Sequence, residues 1–315
     1  VKKAGGVYYT PAYIVEYIVK QTVGALCEGK TPKQIAKLTV LDPACGSGSF
    51  LLGAYRYLLT YHRDWYVKDG PEKHRKELFQ TASGEWRLTT QEKKRILLNN
   101  IYGVDIDSQA VEVTKLSLLL KVLEGESDET LKRQLSFVHE RALPDLGQNI
   151  KCGNSLIGPD YFTGQLMPDD EEMRRVNPFD WKAEFPHIFS SPSGRGQGEG
   201  AGGPSAGSGQ GFDAVVGNPP YVRQEALSEF KDYLAQRYEA YDGVADLFAY
   251  FMEKSVVLLR EGGRFSFIVS SSFLRTTYGE ALRRTLKKQA AVLRIVDFGG
   301  LAVFENAKDT YVCIP

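Results

Sequence analysis

One short stretch limits the possible folds of this chain more than any other, because it joins a buried strand to a helix through glycines. Residues 38–42, LTVLD, have the apolar, β-branched character of a buried strand, and FLLGAYRYLLTYH, from Phe50, has the spacing of a helix. Between them lies PACGSGS, whose glycines can adopt backbone conformations that other residues avoid. We therefore expect a strand–turn–helix unit of an α/β protein.

The same alternation of strands and helices continues to the end of the chain. Strand-like runs occur at 101–106, 149–153, 212–216, 264–270, 292–298 and 310–314, and helical patterns separate most of them. This order predicts an α/β fold with a mostly parallel, seven-stranded sheet and helices on both faces. The last two strands have too short a connection for a parallel crossover, so we predict that they are antiparallel.

We expect residues 1–315 to form a single catalytic domain that belongs to a longer protein. A helix is predicted after Thr10, with Thr10 as N-cap and Pro11 as the first helical residue. Residues 63–88 are polar and are predicted to be an irregular insertion. Residues 190–211 are rich in glycine and serine, which predicts a disordered surface loop.

Charge and cysteine content exclude several classes of protein. The formal net charge is zero, which argues against a basic, stand-alone nucleic-acid binder. The four cysteines are far apart in sequence and predict no disulfide framework, which favours a reducing cytoplasm. The histidines are equally scattered, so no metal site is expected. No apolar run approaches the roughly 20 residues that span a bilayer, so no membrane association is expected.

The glycine turn could bind a nucleotide, but two common kinds fit poorly. Leu51 takes the place of the third glycine of a dinucleotide motif, and no phosphate-binding GxxxxGK motif is present. A ligand with a ribose and an amino-acid end fits better, because Asp42 could accept from an ammonium group and Asp105 from ribose hydroxyls. S-adenosylmethionine has these features. An ordinary tight turn without a ligand is the alternative.

A second motif, GNPPY (217–221), ends the strand FDAVV. The Asn218 side-chain oxygen and the Pro219 carbonyl could each accept one N–H of a planar amine, and the fixed φ of proline would hold that carbonyl in place. Tyr221 could stack on a flat base. The motif therefore predicts methylation of an amide-like or aryl amine, and a plain proline-rich strand end is the alternative.

Together, these motifs make the chain resemble the gamma-class amino-group DNA methyltransferases, in particular the methyltransferase region of type IIG restriction-modification enzymes. The resemblance covers nearly the whole chain in the family's order: VYYTPAYIVEYIV, LDPACGSGSF, IYGVDID, IKCGNSL, FDAVVGNPPYVRQE, ADLFAYF and GGRFSFIVSSSFLR. It implies a Rossmann-like, S-adenosylmethionine-dependent methyltransferase fold. It also implies that the substrate is the N6 amine of an adenine flipped out of double-stranded DNA.

The resemblance assigns roles to individual residues. The implied cofactor site comprises Thr10, Asp42, Pro43, Ala44, Cys45, Gly46, Gly48, Asp105, Ile106, Asn154 and Pro220. Thr10 would contact the methionine carboxylate, Asp105 the ribose, and Ile106 and Asn154 the cofactor adenine. The family often has Asp where this chain has Asn154. The implied target site comprises Asn218, Pro219, Pro220 and Tyr221, with Phe304 as a second aromatic side chain on the flipped base. Phe248 is expected either to line the cofactor pocket or to pack in the core.

Partners and alternative functions follow from the same resemblance. It implies a target-recognition domain elsewhere in the parent chain or on a partner subunit, and a fused nuclease is a further expectation. NPPY also occurs in glutamine methyltransferases that modify release factors, and similar strings occur in ribosomal RNA guanine methyltransferases. A methyltransferase-like scaffold without catalysis is another alternative, although such domains usually lose the asparagine or the aromatic residue that this chain retains.

Overall fold

The computed structural model describes residues 10–125, 143–163, 169–189, 211–222, 224–301, 303–304 and 311–315. The glycine- and serine-rich segment predicted to be a disordered loop lies outside the described residues, except for Gly211. Within the described residues, no helix is both long and apolar enough to cross a membrane.

Strands occur throughout the described residues, and most are short. They are β1 (Val40–Asp42), β2 (Leu78–Gln80), β3 (Trp86–Leu88), β4 (Ile101–Asp105), β5 (Ile150–Cys152), β6 (Phe212–Gly217), β7 (Leu259–Phe267), β8 (Val269–Ser270), β9 (Val296–Asp297) and β10 (Val312–Ile314).

The helices are numbered here in chain order. They are α1 (Ala12–Val19), α2 (Pro32–Ile35), α3 (Ser49–Asp69), α4 (Thr90–Asn100), α5 (Ser108–Leu123), α6 (Asp170–Val176), α7 (Trp181–Glu184), α8 (Pro186–Phe189), α9 (Lys231–Arg237), α10 (Leu247–Leu258) and α11 (Gly279–Gln289). Helix α1 continues through a π-helical turn, Lys20–Gly24, into a last helical turn, Ala25–Cys27. Short 3₁₀ helices occur at Pro71–His74, Pro159–Phe162, Gln224–Phe230 and Ser271–Leu274.

The central sheet has five parallel strands in the order β5-β4-β1-β6-β7. The chain order reverses at β1, with β4 on one side and β6 on the other, and ligands of open α/β sheets bind at such a switch point. The α/β, Rossmann-like fold predicted from the sequence is confirmed.

The predicted sheet of seven strands is wrong in its count, because three short strands form a second, antiparallel sheet in the order β8-β10-β9. The two sheets share one stretch of chain: β7 passes into β8 through Ile268, whose N–H donates to the Gly217 carbonyl at 3.1 Å. The antiparallel pairing predicted for the last two strands is confirmed by the register of β9 and β10.

Alternate residues of the strands face opposite sides of the central sheet and enter two separate cores. Val40 and Val216 pack with apolar side chains from α1 and α3, whereas Leu41 and Val215 pack with side chains from α10 and α11. This alternation is expected when successive side chains of a strand point in opposite directions. Helices therefore cover both faces, and the carboxyl ends of the strands are left to form a site.

Two local expectations are wrong. The segment 63–88 is not irregular: α3 runs to Asp69, and β2 and β3 form an antiparallel hairpin whose turn includes Gly84 at φ +85°. Thr10 is not the N-cap of α1, because Pro11 holds that position and the helix begins at Ala12. The side chain of Thr10 is used elsewhere, as described below.

Candidate active site

A cavity of about 710 Å³ lies at the carboxyl ends of the central strands. Asp42 at the end of β1, Asp105 at the end of β4, Gly153 after β5 and Asn218 after β6 all line it. These residues are far apart in sequence, and the parallel sheet brings them together at one edge.

The glycine turn between β1 and α3 forms the floor of the cavity. Gly46 and Gly48 have φ of +52° and +83°, which side chains rarely tolerate, so glycine is required for this path. A side chain at Gly48 would also begin 2.9 Å from a methyl group of Thr114. The Thr114 hydroxyl donates to the Gly46 carbonyl at 2.8 Å and so holds the turn from α5.

Asp42 is the most deeply buried carboxyl group of the cavity, with 2% of its surface exposed. Its Oδ1 accepts from the Ala44 N–H at 3.1 Å. Burial raises the pKa of Asp42 to about 8, the Ala44 hydrogen bond opposes that rise, and the negative charge of Asp105 adds to it. A cation placed in the cavity would reverse this effect by stabilising the ionised carboxylate.

Asp105 connects β4 to the glycine turn. Its Oδ2 accepts from the Gly46 N–H at 2.7 Å, and its Oδ1 accepts from the Asp107 N–H at 2.9 Å. Burial raises the pKa of Asp105, and these backbone hydrogen bonds oppose the rise. The carboxylate is therefore fixed in orientation while it lines the cavity.

The loop after β5 supplies one wall. The Asn154 N–H donates to the Asn177 carbonyl at 2.7 Å, and its side-chain Oδ1 accepts from the Leu156 N–H at 3.1 Å. Ile106, which also lines the cavity, is 55% exposed, an unusual fraction for a large aliphatic side chain that follows a buried strand. A flat apolar group could cover it there.

The end of β6 brings the GNPPY motif next to Asp42, at the end of β1. Asn218 Nδ2 donates to Thr10 Oγ1 at 3.1 Å. A Cβ atom at Gly217 would lie 2.8 Å from Asp42 Oδ1 and 3.2 Å from the Phe267 ring, so glycine allows β1 and β6 to end side by side. Asn218 and Asp42 therefore belong to one cavity.

Tyr221 lies beside the cavity rather than in its wall. Its hydroxyl donates to the Ile268 carbonyl at 3.1 Å. Its ring is 6.4 Å from that of Phe248 and 6.3 Å from that of Phe304, the latter edge to face. Phe304 is only 2% exposed. In this arrangement the two rings touch each other, so a base could enter between them only if one ring moved.

The structure brings together most of the residues predicted from the sequence. Those that line the cavity are Thr10, Asp42, Pro43, Ala44, Cys45, Gly46, Asp105, Ile106, Asn154, Asn218 and Pro220. Those that do not are Gly48, Pro219, Tyr221 and Phe304. Gly48 instead shapes the turn beneath the cavity.

Sequence reasoning missed an apolar part of the cavity wall. Its residues are Val222, Leu227, Phe230, Leu234, Leu247 and Phe251. Phe248, which the sequence analysis singled out, is fully buried in the core and does not line the cavity. Leu247 and Phe251 are four residues apart on α10, and this helical spacing was the signal that could have identified the correct face.

The Rossmann-like sheet, with a cavity where its strand order reverses, is an architecture typical of α/β enzymes that bind a cofactor. The sequence profile of the Eco57I restriction-modification methylase family matches residues 99–304, and the profile described as N-6 DNA Methylase matches residues 1–141. The chain belongs to the Eco57I restriction-modification methylase family.

Two curated relatives illustrate the match. The type II restriction enzyme and methyltransferase RM.Eco57I of Escherichia coli is 30% identical over 309 residues, which cover 97% of this chain and 27% of that protein. The type II methyltransferase M.BstVI of Geobacillus stearothermophilus is 40% identical over 105 residues, which cover 33% of this chain and 18% of that protein. The chain thus spans about a quarter or less of the length of these relatives.

Solved structures agree at the level of the fold. A nuclease-deletion mutant of the Type ISP restriction-modification enzyme LlaGI, in complex with a DNA substrate mimic, has a TM-score of 0.58 and 14% identity. The match covers 98% of this chain and 23% of that one. The DrdV–DNA complex has a TM-score of 0.56 and 14% identity, over 98% of this chain and 26% of that one.

Proposed function

We propose that this chain is the catalytic part of an adenine-specific DNA methyltransferase in a restriction-modification system. It would methylate the exocyclic N6 amine of an adenine flipped out of double-stranded DNA, with S-adenosylmethionine as cofactor. The family match supports the class of reaction. The single observation that carries the proposal is that Asn218, at the end of β6, lines the same cavity as Asp42 and Asp105.

The residues of the cavity fit S-adenosylmethionine. Asp42 offers a buried carboxylate for the ammonium group, and the fixed carboxylate of Asp105 offers an acceptor for ribose hydroxyls. The exposed side chain of Ile106 and the nearby Asn154 suit a planar purine. When bound, the cofactor supplies a methyl group whose carbon is electrophilic, because it is bonded to a positively charged sulfur.

The protein's own contribution at the target is to hold a weak nucleophile in position. The lone pair of an aryl amine is delocalised into its ring. If the Asn218 side chain and the Pro219 carbonyl each accept one N–H of the amine, its lone pair would point toward the part of the cavity that Asp42 and Asp105 line. Preorganised acceptors of this kind need no rearrangement during the reaction, and alignment can supply much of the rate enhancement.

The aromatic side chains are proposed to hold the flipped base. Tyr221 and Phe304 now contact each other edge to face at 6.3 Å between ring centroids. We propose that one of these rings swings aside when DNA binds and that Tyr221 then stacks on the base. Base–aromatic stacking typically contributes about 1–3 kcal/mol, which would offset the loss of the contact between Tyr221 and Phe304.

The proposed function has a direct test in the full-length parent protein. The Asn218→Ala variant should lose transfer of labelled methyl groups to adenine-containing duplex DNA by at least about 100-fold, because one of two preorganised acceptors is removed. Cofactor binding, measured by calorimetry, should persist and shows that the variant is folded. Methylation of a release factor by the wild-type protein, with none of DNA, would overturn the proposal.

The remaining parts of such an enzyme would lie outside this chain. We propose that a target-recognition domain, in the parent protein or on a partner subunit, selects the DNA sequence, and that a fused nuclease accompanies it. The zero net charge of this chain supports that division, because DNA affinity depends largely on basic groups that neutralise phosphates.

A further inference from the structure

Thr10 has an unusual position for a threonine that precedes a helix. It is 5% exposed and stands directly before Pro11. The N-cap position is held by Pro11, whose side chain has no oxygen to offer. The hydroxyl is therefore not used for the purpose that its place in the sequence suggests.

The Thr10 hydroxyl instead contacts the catalytic motif across 208 residues of sequence. Thr10 Oγ1 accepts from Asn218 Nδ2 at 3.1 Å, and both residues line the cavity. A threonine hydroxyl has two acceptor sites and one donor, so its own proton remains available to another group after it accepts from Asn218.

The contact matters because an asparagine amide has nearly the same shape in its two orientations. In one orientation the Oδ1 atom is available to accept from a target amine. In the other, an NH₂ group would face the amine, and two donors would oppose each other. When the Thr10 hydroxyl directs its own proton to another acceptor, it can only accept from the amide, so Nδ2 faces Thr10 as observed and the first orientation is favoured.

We propose that Thr10 is a positioning residue that holds the Asn218 side chain with Oδ1 available to the target amine. This inference rests on the proposed function, since the amine is that of adenine. It also gives α1 a part in the chemistry, because the start of that helix fixes the position of Thr10.

The test compares two substitutions in the full-length protein. Thr10→Val removes the hydroxyl at nearly constant volume and should lower kcat roughly 10- to 100-fold, the loss expected when a reacting group is misplaced. Thr10→Ser keeps the hydroxyl and should restore kcat to within about threefold of wild type. The dissociation constant for the cofactor, measured by calorimetry, should change much less than kcat.

Thr22→Val is a matched control. Thr22 is also buried, and its hydroxyl donates to the Ile18 carbonyl at 2.7 Å within the same helical segment. It does not line the cavity. Loss of the Thr22 hydroxyl should lower the melting temperature without lowering kcat. A Thr10→Val enzyme with wild-type kcat and a weakened cofactor affinity would overturn the proposal, since Thr10 would then serve only the cofactor.

A second measurement does not depend on activity. Thr10→Val should lower the melting temperature of the ligand-free protein by a few degrees, but by clearly less in an Asn218→Ala background, where its partner is gone. Equal losses in the two backgrounds would overturn the hydrogen bond itself. A wild-type protein that methylates no adenine would instead overturn the proposed function, and with it the catalytic role of this contact.

Discussion

Asp42 places the stability of the ligand-free protein in conflict with its proposed function. Burial raises its pKa to about 8, so the folded protein holds a proton that the unfolded chain releases near pH 4. The folded state therefore binds more protons than the unfolded state between these values, and stability falls as the pH rises through this window. A buried carboxylate that serves to bind a cation is expected to reduce the folding stability of the ligand-free protein in this way.

Asp42→Asn should remove this pH dependence. We expect the ligand-free variant to be more stable than wild type at pH 8, by up to about 5 kcal/mol, with little difference at pH 4. Urea unfolding at the two pH values measures this. The same variant should bind S-adenosylmethionine more weakly. Asp64→Asn, at a largely exposed carboxylate, is the control, and an equal effect of both substitutions would contradict the account.

Single residues were predictable from the sequence where one motif determines their place. Asp42, Gly46 and Asp105 were identified from the strand ends and the glycine turn, and all three line the cavity. The contact between Thr10 and Asn218 was not predictable, because 208 residues separate the partners. The local sequence predicted that Thr10 caps the helix, whereas in the structure its hydroxyl accepts a hydrogen bond from Asn218.

At the scale of elements, α1 and α3 come together through glycine. A Cβ atom at Gly53 would lie 2.4 Å from a methyl group of Val15, and one at Gly24 would lie 3.0 Å from the Tyr57 hydroxyl. Neither glycine has a positive φ, so close helix packing is the reason for both. Because Thr10 precedes α1, this packing also supports the site.

Gly53→Ala should therefore destabilise the protein by about 1–3 kcal/mol through overpacking, despite the higher helix propensity of alanine. The double variant Gly53→Ala/Val15→Ala tests the cause, because it removes the methyl group that the new Cβ meets. In the Val15→Ala background, Gly53→Ala should be neutral or stabilising by up to about 1 kcal/mol. Urea denaturation of all four proteins gives the coupling, and additive losses would rule out this contact.

Among the elements, long periodic segments were predictable and short paired ones were not. The helix after the glycine turn and the strand before GNPPY follow from local pattern alone. The hairpin of β2 and β3 was missed because its strands have three residues each and depend on each other. Its turn, with Gly84 at φ +85°, was the available signal.

At the scale of the whole molecule, the second sheet ends in an exposed apolar edge. Strand β9 is outermost in that sheet. Exposed large apolar side chains flank it in the sequence or lie on the segments that lead to and from its sheet: Val292, Leu293, Ile295, Leu301 and Tyr311. An outer strand with apolar neighbours is a common site of self-association.

We expect the 315-residue chain to associate through this edge when it is expressed alone. Leu293 is 73% exposed, so Leu293→Lys should reduce association without loss of folding stability. Val257→Lys is the matched control, since Val257 is 61% exposed but belongs to α10 and not to the segment that contains β9. Sedimentation velocity at several concentrations would measure the effect. The edge is not responsible if both variants associate like the wild type.

The close approach of Gly217 to Asp42 limits how the specificity of the protein for its target amine could be changed by substitution. Asp42 Oδ1 lies 2.8 Å from the place where a Cβ atom at 217 would be, so even one added methyl group would displace the carboxylate. A substitution at Gly217, made to accommodate a different target amine, would therefore also disturb Asp42 and the proposed binding of the methyl donor. Substitutions should be made further along the loop, and the ends of β1 and β6 should be kept together without change.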